Sequence, residues 1–309
     1  MSLCKCDASL GNTGQTTCLS TQGVTVGLLV QARFDSTGVQ NFIDATSPTL
    51  LTQAFWDANV NNPDASKRMY PLMNLEEVTN TRAESKYQTT ASDAKYFIKD
   101  GIRDFKASVM QTDAVFLGKL KSVRCTDFNV YLVSADGAIT GNGKVDGKLY
   151  GIKINKSSFD AMSVFATDTT VASNVISFEF AQSERDEDLR MISAEELQSV
   201  DILGLRGLLD VNAKVSAITS TTFVLDLSFD YGTIVAKKPM VGLTTADVIL
   251  YNVTDAISVT LTSVVADTLI QGRYLVTYPS QTSADVLRVG ALKNSFDFNN
   301  LSKVSIIVP

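Results

Sequence analysis

Histidine is missing from all 309 residues. That removes the Ser-His-Asp and Cys-His arrangements, histidine-ligated zinc and the usual general base near neutral pH. An enzyme built on this chain is left with carboxylates, lysine or tyrosine. A carboxylate-dependent glycosidase needs two acids facing each other across a cleft, yet no acid here stands out from a charged surface. Only Trp56 is available as a tryptophan to line a sugar site.

Cysteine is scarce too. Cys4, Cys6 and Cys18 are spaced Cys-x-Cys-x11-Cys and Cys125 stands alone, which matches no paired Cys-x2-Cys knuckle. Reduced, unliganded thiols are the expectation, with a metal site or disulfide as the lesser alternative. No stretch reaches the roughly 18 apolar residues of a membrane-crossing helix. The opening Met1-Ser-Leu-Cys-Lys-Cys-Asp lacks a basic region followed by an apolar one, so assembly in the cytoplasm, with no membrane partner, is expected.

Positive charge is in deficit. Against 33 Asp and Glu stand 27 Lys and Arg, giving −6 and a pI near 4.8. A nucleic-acid surface held by phosphate contacts would need a basic stripe. DNA passing through a cavity would not, because an acidic wall repels the backbone and prevents sticking. With 45% apolar and 19% charged residues the composition is that of a folded globular protein, long enough for two domains.

What the chain does have is β-prone sequence. The stretch Val78 to Leu120 contains Ala94-Lys-Tyr-Phe-Ile-Lys99, then Asp100-Gly101, then Ile102-Arg-Asp-Phe-Lys-Ala-Ser-Val109. Two such runs joined by Asp-Gly predict a hairpin with a two-residue turn. Its arms mix charge and apolarity, with Tyr96, Ile98, Ile102, Arg103 and Phe105 among them. Two readings stay open: an arm that packs on a core by one face and on a neighbouring subunit by the other, or an ordinary solvated hairpin.

Around it the chain reads in order as follows. Residues 1 to 22 are small and polar and predict an extended arm. Gly23 to Phe34 predicts a strand. Ser47-Pro48 opens a helix carrying Leu50, Leu51, Ala54, Phe55 and Ala58, with Trp56 beside that stripe. Glu76 to Thr90 reads as an exposed strand or long loop. Thr112 or Asp113 caps a short helix through Leu120. Strands are predicted at Phe128 to Val133, Leu149 to Ile154 and Asn174 to Phe180, and a short helix over Phe159 to Phe165. The glycines of Gly141-Asn-Gly-Lys-Val-Asp-Gly147 fit neither a phosphate loop nor a dinucleotide fingerprint, nor do Asp136, Asn142 and Asp146 fit a calcium loop, so turns are the reading.

The most charged run, Ser183-Glu-Arg-Asp-Glu-Asp-Leu-Arg190, invites comparison with an acid pair or magnesium site. Consecutive side chains diverge, and Arg185 and Arg190 lie ready to neutralise Glu184, Asp186 and Glu187. A solvated or intersubunit salt-bridge surface is favoured. Ser193-Ala-Glu-Glu196 is a capping box expected to open a helix through Leu197, Val200, Ile202 and Leu203, ended by Gly204 and Gly207. No catalytic, cofactor-binding or metal-ligating residue is assigned.

Past residue 211 the texture changes. Ala213 to Pro309 contains no glutamate, and its seven aspartates balance seven basic residues. Short β-prone runs recur at Lys214 to Ile218, Thr222 to Phe229, Thr233 to Ala236, Asp247 to Tyr251, Ile257 to Val265, Arg273 to Tyr278, Val286 to Val289 and Val304 to Val308. That spacing predicts a sandwich. The expected fold class is therefore mainly β: an α+β domain over 23–210 and an all-β domain over 211–309.

Two resemblances follow. The segment Lys238-Pro239-Met-Val-Gly-Leu-Thr-Thr-Ala-Asp247, the runs Val259 to Val265 and Gly272-Arg-Tyr-Leu-Val-Thr-Tyr278, and the closing Val304 to Val308 resemble a bacterial immunoglobulin-like module. The strand Gly23 to Phe34, the helix from Pro48, the hairpin Val78 to Val109 and the later strands are similar in plan to tail-tube and tail-ring proteins of tailed bacteriophages. That resemblance implies two packed antiparallel sheets, flanking helices and a long hairpin that reaches a neighbour. It further implies a structural virion protein, assembled in hexameric or dodecameric rings or a stacked tube, with other virion proteins as partners and DNA as passing cargo. An adhesin built on the immunoglobulin-like domain is the alternative.

Overall fold

The computed structural model describes residues 22–110, 113–143, 146–298, 301 and 304–309. The extended arm expected over 1–22 and Cys4, Cys6 and Cys18 fall, Gln22 apart, outside these residues. Cys125 is an exposed free thiol. The chain divides into two compact units, Met1–Gly207 and Leu208–Pro309. Both are mainly antiparallel β.

Fourteen strands are described in the first unit: β1 Thr25–Ala32, β2 Ile43–Asp44, β3 Met69–Leu72, β4 Leu75–Arg82, β5 Lys86–Thr89, β6 Lys95–Lys99, β7 Arg103–Met110, β8 Phe128–Ser134, β9 Ile139–Gly143, β10 Lys148–Tyr150, β11 Ile152–Lys153, β12 Asp160–Val164, β13 Ser173–Glu179 and β14 Leu189–Ile192. Helix α1 spans Gln53–Val60 and α2 spans Ala114–Ser122. The larger sheet has the order β2-β10-β9-β8-β1-β3, with β11 on β8 and β14 on β9. A second sheet has the order β12-β13-β7-β4.

The larger sheet is covered on both sides, which is why every residue of β8 is buried. One face (Leu28, Phe128, Val130, Leu132, Ile152) meets Phe105, Ala107, Ile176 and Phe178 of the second sheet. The other face (Leu29, Tyr131, Val133, Ile139, Leu149) meets Trp56 and Val60 of α1 together with Leu197, Ile202 and Leu205. Alternate residues of one strand therefore feed two cores, as a period of two requires.

Several local expectations are corrected. The helix opened by Ser47-Pro48 stops after one 3-10 turn, Pro48–Leu51, and α1 restarts with the Thr52 hydroxyl accepting from Phe55 N–H. The restart shifts the phase, so Trp56 and Val60 are buried while Ala54 and Ala58 are exposed. Trp56 Nε1–H donates to the Leu50 carbonyl at 2.9 Å, tying the two pieces together. Phe159 to Phe165 contains the strand β12 in place of a helix. It pairs along its length with β13, and Phe159 and Ala161 point inward at the period of a strand. The Ser193 capping box forms, with Ser193 N–H on Glu196 Oε2 at 2.7 Å, but it caps a series of turns and no regular helix follows. Asp113, one of the two caps expected for α2, is its N-cap.

The second unit contains β15 Leu209–Ser216, β16 Thr222–Gly232, β17 Lys237–Pro239, β18 Val248–Asn252, β19 Ile257–Val259, β20 Ser263–Ala266, β21 Arg273–Thr277, β22 Val286–Ala291, β23 Phe296–Asp297 and β24 Ser305–Ile307. One sheet runs β20-β21-β16-β15-β23 and the other β19-β18-β22-β24. Their inner faces share one core, including Phe223, Leu225, Val276, Leu250, Leu287 and Ile306. The run Ile257 to Val265, expected as one strand, is divided: β19 pairs with β18 and β20 pairs with β21, so the chain changes sheet between them. Thr233 to Ala236 is a turn, closed by Thr233 N–H on the Ala236 carbonyl at 3.0 Å. Two buried tyrosines bond backbone carbonyls: Tyr274 OH that of Met240 at 3.2 Å, and Tyr278 OH that of Thr219 at 2.8 Å. Such pairing is what lets a phenol sit in a core.

Candidate functional site

The hairpin exists, but its turn lies elsewhere. β4 pairs with β7, and β5 pairs with β6, so one long ribbon runs out from Leu75 and back to Met110. Its tip is Thr90 to Ala94, where Thr90 N–H donates to the Ala94 carbonyl at 2.9 Å and Asp93 takes φ of 58°. A three-residue loop with a left-handed last residue is the next commonest hairpin after the two-residue one.

Asp100-Gly101, expected as the turn, is a waist between the two halves of the ribbon. Gly101 is needed for closeness, not for a positive φ. A Cβ there would sit 1.8 Å from the Ala83 carbonyl oxygen. Opposite strands meet here through Ala83 N–H and the Ile102 carbonyl at 2.9 Å. Ser85 Oγ reaches Asp100 Oδ1 at 3.1 Å, and Gln182 Nε2 reaches the Asp100 carbonyl at 2.9 Å.

The waist is clamped by the acidic run. Arg82 donates to Asp186 Oδ1 at 2.8 Å and Oδ2 at 3.0 Å, to the Gly101 carbonyl at 2.8 Å and to the Glu184 carbonyl at 3.0 Å. Arg103 adds a contact to Asp186 Oδ1 at 2.9 Å. A guanidinium has the planar fork that such a bidentate contact needs. Burial by itself would raise the Asp186 carboxyl, but the hydrogen bond from Arg82 and the charges of Arg103 and Arg82 outweigh it and hold it below the usual range.

Glu184 takes a different environment. Its carboxylate accepts from Asn142 Nδ2 of β9, and burial raises it above the ordinary value although that hydrogen bond pulls the other way. Both acids are therefore engaged within the subunit. Arg185 and Glu187 pair at 3.7 Å on the exposed side, and Arg190 donates to the Glu187 and Leu189 carbonyls.

Of the hairpin residues singled out from sequence, Phe105 belongs to the core, 1% exposed and stacked on Phe178 at 4.9 Å. Arg103, Asp100 and Gly101 form the waist, with Ile102 half-buried beside it. Tyr96 and Ile98 stand on the outer half, 61% and 57% exposed. Sequence reasoning missed Tyr87 and Arg82, and placed Phe97 on the hairpin arm without singling it out. Tyr87 and Phe97 are each more than half exposed and make an edge-to-face pair at 5.9 Å. Their signal was the mirror-image run Lys86-Tyr-Gln-Thr89, legible only once the tip is placed at Thr90 to Ala94.

No residue of β5 or β6 is buried, and among the described residues no third strand pairs with either. A two-stranded ribbon is marginal by itself in water. Exposed apolar groups lie here beside unpaired strand edges, features that accompany interaction surfaces in other proteins.

No protein-family model matches the sequence, and no curated protein matches it. Among solved structures the chain is similar to one in the cryo-EM structure of the anti-feeding prophage (AFP) baseplate, 6-fold symmetrised. The identity is 12%, the match covers 57% of this chain and 99% of that one, and the TM-score is 0.23. A likeness of that size carries no argument. Among the described residues no helix is long and apolar enough to cross a membrane.

Proposed function

We propose that the chain is a structural virion protein of a tailed bacteriophage, which assembles with copies of itself into hexameric or dodecameric rings or a stacked tube around the DNA path. One observation carries this reading: a ribbon with Tyr87, Tyr96, Phe97 and Ile98 all more than half exposed, held at its root by the Arg82–Asp186 clamp. An isolated subunit gains nothing by exposing four large apolar side chains. A neighbour that covers them gains roughly 25 cal/mol per Å² of apolar surface. The acidic balance of the chain suits DNA as passing cargo. No reaction and no cofactor are assigned.

For the second unit the proposal is an immunoglobulin-like domain. Support comes from strand order: lettered in sequence, β15, β16, β21 and β20 follow the A-B-E-D order of such sandwiches, and β18, β22 and β24 follow C-F-G.

Light scattering on the purified chain, with negative-stain images, tests the reading. Rings or tubes are expected; a monomer at every concentration overturns it. Deleting Tyr96 to Ser108 would remove the core residue Phe105. The informative deletion replaces Lys86–Lys99 with an Asn-Gly turn and leaves β7 intact.

A further inference from the structure

Among the described residues the three barest large apolar side chains, Ile234, Val235 and Leu269, lie on two loops at one end of the second unit. Each is more than nine-tenths exposed, and Ile270 beside Leu269 is 46% exposed. The first loop joins β16 to β17 and the second joins β20 to β21. Leu227 of β16 ties their bases together: its N–H donates to the Gly272 carbonyl at 2.7 Å and its carbonyl accepts from Met240 N–H at 3.1 Å. A Cβ on Gly272 would lie 2.9 Å from Pro239 Cβ, so this approach of one loop to the other needs glycine.

Both turns are internally bonded. The Thr233 hydroxyl accepts from Ala236 N–H at 3.0 Å. Asp267 Oδ1 accepts from the N–H groups of Leu269 and Ile270 at 2.8 and 3.0 Å. The apolar side chains are thus carried outward by closed turns.

Charge near the tips favours an anionic partner. Over 232–239 and 267–272 two exposed lysines, Lys237 and Lys238, stand against Asp267. Lys237 reaches Asp230 only at 3.9 Å, and the adjoining Arg273 and Asp226 neutralise each other at 2.7 Å. Shape selects the class of partner. A side chain on a convex tip is covered by a protein only where that protein offers a matching pocket, whereas a bilayer interface deforms around it. Aliphatic tips with lysines behind them suit such an interface, the apolar groups entering the acyl boundary and the ammonium groups staying with the headgroups.

We propose that these two loops form a membrane-contact site: Ile234, Val235, Leu269 and Ile270 enter the interface of a bilayer containing anionic lipid, and Lys237 and Lys238 meet its headgroups. Contact of this kind needs no spanning helix, and it departs from the expectation of no membrane partner. The site is separate from the arm formed by β5 and β6 and does not depend on self-assembly, although copies joined in a ring would bind with added avidity.

The test is flotation of the full chain with phosphatidylcholine vesicles carrying about 25% phosphatidylglycerol, reading the partition coefficient. Ile234→Ser/Val235→Ser/Leu269→Ser should lower it at least about tenfold, in dilute salt and at 1 M salt alike. Lys237→Gln/Lys238→Gln should lower it at least about fivefold in dilute salt, and less than about twofold at 1 M salt or on phosphatidylcholine alone. Val235→Trp gives a direct reading, since its emission should shift to the blue on binding while that of the buried Trp56 stays constant. Thermal melting and light scattering that match wild type establish that the variants fold and self-associate as before.

Wild type that stays in the aqueous fraction with these vesicles overturns the proposal. So does binding that survives the triple serine variant, or that is lost in Tyr96→Ser/Ile98→Thr, which would place the contact on the arm. A lysine variant that binds as wild type in dilute salt overturns the part assigned to anionic lipid. The ring reading is decided separately, by light scattering without vesicles.

Discussion

The inner and outer halves of the ribbon from Leu75 to Met110 are built of similar residues and meet opposite fates. Arg103-Asp-Phe-Lys-Ala-Ser-Val-Met110 alternates with Phe105, Ala107 and Val109 buried, because β13 pairs alongside it and Phe128, Ile152 and Ile176 fill the space beneath. Lys95-Tyr-Phe-Ile-Lys99 has no less apolar character, yet all five residues are exposed. Apolar patterning does not record whether a face is covered. Nor does it record by what.

The largest effect that would sharpen this contrast belongs to the inner half. Phe105→Ala should cost about 3–5 kcal/mol in denaturant unfolding, the usual range for emptying a buried aromatic site. A loss below about 1 kcal/mol would mean the inner ribbon is no better covered than the outer.

Next comes the waist. Gly101→Val should destabilise the first unit by about 1–3 kcal/mol through overpacking, because the conflict is with the backbone of Ala83 and a side chain cannot turn away to relieve it. Arg82→Ala should cost about 1–2 kcal/mol, a range reduced for the part-exposed carboxylate it contacts, and hydrogen exchange should quicken at Lys86–Lys99 more than at β7.

The clamp also has a pH signature. The Asp186 carboxyl is depressed in the folded state, so its contribution is fully present above its unfolded value and is lost as pH falls through the folded one. Glu184 is raised, and its effect has the opposite sign: stability declines as pH climbs from the unfolded value through the folded one. Asp186→Asn should flatten the acid side of a stability-against-pH curve, and Glu184→Gln should flatten the segment just above it.

The smallest change is expected on the outer half. Tyr96→Ser/Ile98→Thr should shift unfolding of unassembled protein by no more than about 0.5 kcal/mol, since among the described residues those side chains are more than half exposed. A much larger shift would show that the arm packs on its own subunit and would erase the difference between the two halves.

Several features were legible from the chain alone, each for a local reason. Asp113 and Ser193 cap where their side chains reach a backbone N–H three residues on. Alternation in Val224-Leu-Asp-Leu-Ser-Phe229 gave the strand that became β16. Errors arose where two local rules compete. Asp100-Gly101 satisfies the two-residue turn rule, yet Thr90 to Ala94 closes the ribbon, because pairing Lys86-Tyr-Gln-Thr89 with Lys95–Lys99 brings Tyr87 onto Phe97. Phe159, Met162 and Phe165 fit a helical period, yet in the structure Phe159 is buried while Met162 and Phe165 are exposed. Strand β13 decided against the helix by offering a ladder that a helix cannot use.

The amino-acid order by itself fixed the mainly β character, the spacing of the sandwich strands and the lack of histidine chemistry, because these depend on residue type and on neighbours a few positions away. Tertiary structure alone decided that Asp186 grips the root of the arm from more than 100 residues along the chain, that Ile257 to Val265 serves two sheets, and that Tyr96 is bare while Phe105 is enclosed. Such outcomes depend on which distant segments arrive to share a surface, and pairing over that range is set by the whole packed arrangement and not by the local pattern.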